Sequence, residues 1–206
     1  NFFSELKLKE IAKEIASVSH LLYRRGWVPA TSGNFSMRID ETACAITQSG
    51  KNKEKLTEQE VVAVDFEGKV LTKGKPSAEV VLHTLLYRRF ATVGAVLHVH
   101  SPSSTVLSRL LKGQSQLRLK DYELLKAFYG MLTHDAELIV PIFENTQQMD
   151  VLADTVSAAL REITPPCYAY LIRGHGAYVW GRDMEETLRH LEAFEFLLAC
   201  EVALRK

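Results

Sequence analysis

The sequence predicts an α/β fold in three layers: a mixed, mostly antiparallel sheet with helices covering its faces. Two observations predict it. Apolar residues at helical spacing open and close the chain, and short alternating segments separated by Thr, Ser, Gly and Asn dominate its middle. Helices flanking strands along one chain bury their apolar stripes against the sheet, and this gives the layered arrangement.

Leu6/Leu8, Ile11, Ile15, Val18 and Leu22 recur every three to four residues after Ser4, which marks an amphipathic helix ending at Gly26. From ATSGNFSMRI through ACAITQSG, alternation and polar clusters read as short strands joined by turns; VVAVDFEGKVL reads as a hairpin turning at Glu67-Gly68. After Pro76, SAEVVLHTLLYRRF is a helix with Ser77 as its cap, and GAVLHVHS is a buried strand that Pro102 stops. Ser103 to Leu111 and Tyr122 to Tyr129 read as helices, ELIVPIF as a strand, and Gln148 to Ile163 as a helix closed by Pro165-Pro166. YAYLIR and AYVWG then form a hairpin around Gly174-His175-Gly176. The last helix starts at Asp183, with Glu186 completing a capping-box-like pair, and buries Leu188, Leu191, Phe194, Leu198 and Val202.

A length of 206 residues at 47% hydrophobic suits one domain over 1–206. Twenty-five basic residues balance twenty-five acidic ones without long blocks of either sign, so no electrostatic grip on nucleic acid or an anionic membrane is expected. The longest uncharged run, Phe90 to Ser108, holds two His, a Pro and four Ser and does not read as a membrane span. Cys44, Cys167 and Cys200 are odd in number and form no CxxC pair, which fits reduced thiols in a cytoplasmic protein.

HVHSPSS carries the first chemical signal. On a strand, residues i and i+2 share a face roughly 6 to 7 Å apart, so the imidazoles of His98 and His100 are able to converge on one ion. A catalytic zinc takes three protein ligands, and His175, between two glycines at the hairpin turn, is the third candidate. Taken singly, each of these histidines is explained by packing or by the turn; only their joint pattern points to a metal, and the residues alone leave both readings open. His20, His83 and His190 lie on helices and read as packed or solvated, while His134 sits in a loop.

HVHSPSS, RGHGAYVWG, TSGNFS, TQSG and KPSAE together resemble the zinc-dependent class II aldolase and adducin superfamily over nearly the whole chain. Within it, LKDYELLKAFYG and VPIFENTQQMDVLA are similar to the methylthioribulose-1-phosphate dehydratases of methionine salvage. The resemblance implies a class II aldolase-like fold and one zinc ion per subunit on His98, His100 and His175. It also implies a small sugar phosphate as substrate and a homotetramer with sites near subunit boundaries. The reaction implied removes a proton from carbon 3 and the hydroxyl from carbon 4 of 5-methylthioribulose 1-phosphate, leaving a diketone with no carbon–carbon bond broken.

Two carboxylates compete for the acid/base role. Glu123 matches the dehydratases' carboxylate and is the expected base; Glu79 stands where the superfamily's aldolases keep theirs, and its role is open. The resemblance also gives Thr31, Gly33, Asn34, Ser49, Gly50 and Ser77 a shared task as phosphate donors, with Lys51 or Lys53 adding charge. The competing function is a class II aldolase or epimerase acting on fuculose or rhamnulose 1-phosphate or ribulose 5-phosphate. A catalytically dead scaffold would have no use for three unsatisfied imidazoles.

Overall fold

A computed structural model of the chain describes residues 3–163 and 167–206. Among them run five helices, α1 (Glu5–Arg24), α2 (Val80–Arg89), α3 (Pro102–Leu110), α4 (Met149–Arg161) and α5 (Met184–Leu204). Eight strands, β1 (Asn34–Arg38), β2 (Ala43–Thr47), β3 (Val61–Asp65), β4 (Ala95–Val99), β5 (Gln116–Lys120), β6 (Glu137–Phe143), β7 (Ala169–Ile172) and β8 (Gly176–Gly181), form one sheet in the order β3-β2-β1-β4-β8-β7-β6-β5. Every neighbouring pair is antiparallel except β6 with β7, so the expected mixed, mostly antiparallel sheet is present.

Pairing register settles which side chains share a face. His98 lies opposite Asn34 on one side and Tyr178 on the other, and Val96 lies opposite Ser36 and Trp180. Side chains directly across an antiparallel pair point the same way, so these six form one continuous surface. Helix α2 covers it, because His83 and Tyr87 reach down to Ser36, and α4 packs beside α2. Phe35, Leu97 and Val179 point to the opposite face, where α1 lies on β1 to β3, α5 lies on β4 and β8, and α3 packs against α5.

Local chemistry explains the ends of the elements. Ser4 caps α1 by accepting from the Lys7 amide at 3.1 Å, and Asp183 caps α5 by accepting from the Glu186 amide at 2.8 Å. Glu186 turns its carboxylate to the Arg182 amide and guanidinium instead of to Asp183, so the capping box is only half formed. Pro102 is the first residue of α3, with Ser101 as cap accepting from the Ser104 amide at 3.1 Å.

Several expectations change. The helix expected from Tyr122 to Tyr129 is a 3-10 turn, Glu123–Ala127, because Asp121 (φ 65°) turns the chain sharply before it and Gly130 (φ 83°) after it. Strand β5 was absent from the sequence reading, although QLRLK alternates exposed and buried side chains along its length. Beyond β3, only Val64 and Val70 pair, around a turn whose Glu67 and Lys69 amides donate to the Asp65 carboxylate. Helix α2 starts at Val80, not at Ser77, although the Ser77 hydroxyl accepts from the Glu79 amide at 3.3 Å. Pro165-Pro166, expected to close α4, lie outside the described residues.

Candidate metal centre

Strands β4 and β7 end, and β1 and β8 begin, at the same edge of the sheet, and the functional candidates gather there. His98 is the fourth residue of β4 and His100 follows the strand, held by its amide donating to the Trp27 carbonyl at 2.8 Å. His175 sits in the turn between β7 and β8. Arg173 clamps that turn, donating to the carbonyls of Leu111 at 3.0 Å and Gln114 at 2.8 Å and to Glu144 at 2.7 Å. Gly174 adopts φ 67°, the left-handed region a glycine enters without strain. Gly176 meets a different demand: a Cβ there would lie 2.0 Å from the Val99 carbonyl oxygen, so only glycine lets β8 start this close to β4.

The three rings meet. His98 Nε2 lies 3.0 Å from His100 Nε2 and 3.2 Å from His175 Nε2, with ring centroids 4.6 to 5.0 Å apart. Two nitrogens bound tetrahedrally to one zinc at about 2.05 Å stand roughly 3.3 Å apart, so the spacing suits a single small cation. Tautomers agree with it. His98 Nδ1 faces the Ala177 carbonyl at 2.9 Å and must donate to it, leaving the Nε2 lone pair for the cluster. His175 Nδ1 faces Asn145 Oδ1 at 2.9 Å and is placed to do the same.

Burial sets the charge state. His98 is fully buried, and burial, then the neighbouring His100 and His175 rings, hold its pKa well below the ordinary imidazole range. Burial, then His175, lowers His100 to about 4. Both are neutral at physiological pH, the form in which imidazole binds metal.

Glu79 completes the group: its Oε1 lies 3.6 Å from His98 Nε2 and 3.7 Å from His175 Nε2, and the ligand atoms of all four residues fall within 4.8 Å of one another. Tyr178, stacked on His98 at 4.1 Å, donates its hydroxyl to Glu79 Oε1 at 2.9 Å, and Asn34 donates to Oε2 at 3.2 Å. Of the two carboxylates singled out in the sequence, Glu79 is the one that this chain places at the cluster. Glu123 is not part of the cluster. It follows β5, which leaves the histidine edge, so it stands at the opposite end of the sheet, exposed and paired with Lys126.

The six proposed phosphate donors divide. Thr31, Ser49 and Gly50 are exposed at the histidine edge. Gly33 is a spacer, since a Cβ there would strike Val28 at 2.5 Å and the His98 carbonyl at 3.0 Å. Asn34 and Ser77 are buried and committed to Glu79, the first through its side-chain amide and the second through the Glu79 backbone amide. Lys53, 1% exposed, donates to the carbonyls of Lys51 at 2.7 Å and Thr31 at 3.3 Å and so ties two of the loops together; burial lowers its pKa to about 8.

Tyr178, Asn145 and His83 were missed in the sequence reading as members of the site. The register of β8 against β4, which puts Tyr178 beside His98, was the signal for the first; nothing local marked Asn145, which follows β6. A cavity of about 800 Å³, lined in part by Phe143, Leu152 and Arg173, holds none of the three histidines. Chemistry, not cavity size, marks this site.

Known proteins resemble the chain along nearly its whole length. The family described as class II aldolase and adducin N-terminal domain matches residues 13–202. A methylthioribulose-1-phosphate dehydratase from Xanthomonas campestris pv. campestris is 51% identical over 205 residues, 99% of this chain and 94% of that one. Among solved structures, an L-fuculose-1-phosphate aldolase from Thermus thermophilus is 28% identical with a TM-score of 0.73, covering 98% of this chain and 97% of its own. YgbL from Klebsiella pneumoniae shares the fold, with a TM-score of 0.80 at 24% identity over 96% of this chain and 90% of its own. The chain belongs to the class II aldolase and adducin family and, within it, to the methylthioribulose-1-phosphate dehydratases.

Proposed function

We propose that the protein is a cytoplasmic hydro-lyase that dehydrates 5-methylthioribulose 1-phosphate to 2,3-diketo-5-methylthiopentyl 1-phosphate in methionine salvage, using one zinc ion per subunit. One observation carries the reading. Three imidazoles and a carboxylate converge from distant points of a chain that is half identical, along almost all of its length, to enzymes named for this reaction. When bound, the cation supplies Lewis acidity, polarising the ketone and easing removal of the neighbouring proton.

The chain's own residues do the rest. His98 and His100 are neutral donors that add no charge of their own to the ion, and His175 presents its Nε2 to the same point. Dehydration needs two proton transfers, one from carbon 3 and one to the hydroxyl leaving carbon 4. Glu79 is at the cluster and is able to exchange a proton with a substrate oxygen there. Glu123 is our base for carbon 3, and because it lies at the far end of its own sheet we assign it to the site of a neighbouring copy. That assignment requires an oligomer, and a homotetramer of chains acting as single domains is the form we propose. The exposed Thr31, Ser49 and Gly50 turns offer donors to the substrate phosphate, while Asn34, Ser77 and Gly33 shape the ground beneath them.

A sugar-phosphate aldolase is the second reading, favoured by Glu79 standing at the cluster in the position the aldolases use. Product analysis separates the two. Zinc-loaded protein is given 5-methylthioribulose 1-phosphate and fuculose 1-phosphate, and the products are resolved by mass spectrometry. Loss of one water from the first, with its carbon skeleton intact, is the expected result; a cleaved aldehyde from either would establish the aldolase instead.

A further inference from the structure

Glu79 does not end its hydrogen bonds at Asn34. Its Oε2 accepts from Asn34 Nδ2, so the other end of that amide, Oδ1, is an acceptor and takes its bond from His83 Nε2. His83 Nδ1 is then the lone-pair nitrogen and accepts from the Ser36 hydroxyl at 2.6 Å, and Ser36 in turn accepts from the Tyr87 hydroxyl at 2.7 Å. Only one set of donors satisfies the whole chain, and every one of them points toward Glu79. His83, Ser36 and Tyr87 are buried, so water has no competing claim on these groups. Burial lowers His83 to about 3, with the nearby His98 adding to the effect, and the ring stays neutral with one donor and one acceptor. On the other side of the carboxylate, Tyr178 is wedged between His98 at 4.1 Å and Tyr170 at 5.0 Å, which aims its hydroxyl at Oε1.

We infer that His83, with Ser36 and Tyr87 behind it, is a positioning residue for the reaction: it locks the Asn34 amide, and through it fixes the Glu79 carboxylate over the histidine cluster. Helix α2 carries both Tyr87 and His83, and Glu79 is its N-cap, so a single element brings the carboxylate to the site and holds it in place. The inference rests on Glu79 taking part in the chemistry, as read above.

The test compares His83→Gln, which keeps a donor for Asn34, with His83→Leu, which removes it, in zinc-loaded enzyme. His83→Leu is expected to lower kcat about 10-fold to 100-fold with KM and metal content nearly unchanged, and His83→Gln to recover most of that loss. In a Glu79→Gln background, His83→Leu is expected to have no further effect, because the residue acts through the carboxylate. Tyr87→Phe, which removes only the outer hydroxyl, provides a milder version should His83→Leu fail to fold; its kcat is expected to fall by about 3-fold or more. A multiplicative loss in the Glu79→Gln background, or unchanged kcat in both His83→Leu and Tyr87→Phe, would overturn the inference. Full kcat in Glu79→Gln alone would instead remove the role of Glu79 itself.

Discussion

A histidine is useful to a metal only when neutral, and here the fold arranges that by burial. At His98 and His100, loss of water and the crowding of like rings both oppose protonation. Protonation of His98 and His100 is therefore expected to take little from cation affinity between about pH 8 and pH 6, and His100 to compete with the cation only as the pH approaches its value of about 4. Ring-proton NMR titration of His98 and His100 in metal-free protein checks it; midpoints near about pH 6.5 for these two rings would mean that they behave as in water. The three clustered histidines were singled out in the sequence because spacing on a strand and glycines at a turn are local facts. His83 was not. Its partners Asn34 and Ser36 lie 49 and 47 residues away, and no short pattern marks a helix histidine whose two nitrogens are both in use.

Among the elements, α3 and α5 are joined at a point the reaction does not use. Glu195 on α5 is 4% exposed, and its carboxylate accepts from the Ser101 hydroxyl at 2.7 Å, directly behind the His100 segment. Burial raises its pKa from the ordinary carboxylate value to about 7, only partly offset by that hydrogen bond. A carboxyl that holds its proton more tightly when folded stabilises the fold at low pH and loses that contribution as the pH rises toward the folded value. The loss between about pH 4.5 and pH 7 is on the order of 3 kcal/mol. Glu195→Gln keeps an acceptor for Ser101 and never ionises, so thermal midpoints of the two proteins are expected to converge near about pH 5 and diverge above pH 7, with the variant the more stable. Parallel curves would show that the carboxylate is not confined as drawn. Elements with strong periodicity or clear caps, α1, α4 and α5, were legible; β5 was not, because its two apolar residues, Leu117 and Leu119, alternate over a strand too short to stand out. The 3-10 turn at Glu123 shares its composition with a helix and differs only in how soon the chain must turn back.

For the whole molecule, assigning Glu123 to a neighbour's site makes an oligomer part of the proposed chemistry. Mixing inactive His98→Ala with inactive Glu123→Gln subunits, then allowing exchange, is expected to restore about one quarter of wild-type activity, since random pairing joins an intact histidine cluster to a neighbour's intact Glu123 at that frequency. No recovery after demonstrated exchange would place both residues in one chain's site or remove Glu123 from it. The layers and the mixed, mostly antiparallel character of the sheet followed from the pattern of elements, whereas the strand order did not, and which end of the sheet Glu123 occupies depends on the direction of β5, which the sequence did not reveal. Everything rests on three imidazoles holding one ion, and the direct measurement is calorimetric titration of metal-free protein with zinc, in the wild type and in His98→Ala and His175→Ala. The account predicts one tight site per chain that both substitutions abolish; a wild type that binds no ion, or variants that bind it as tightly, would contradict it.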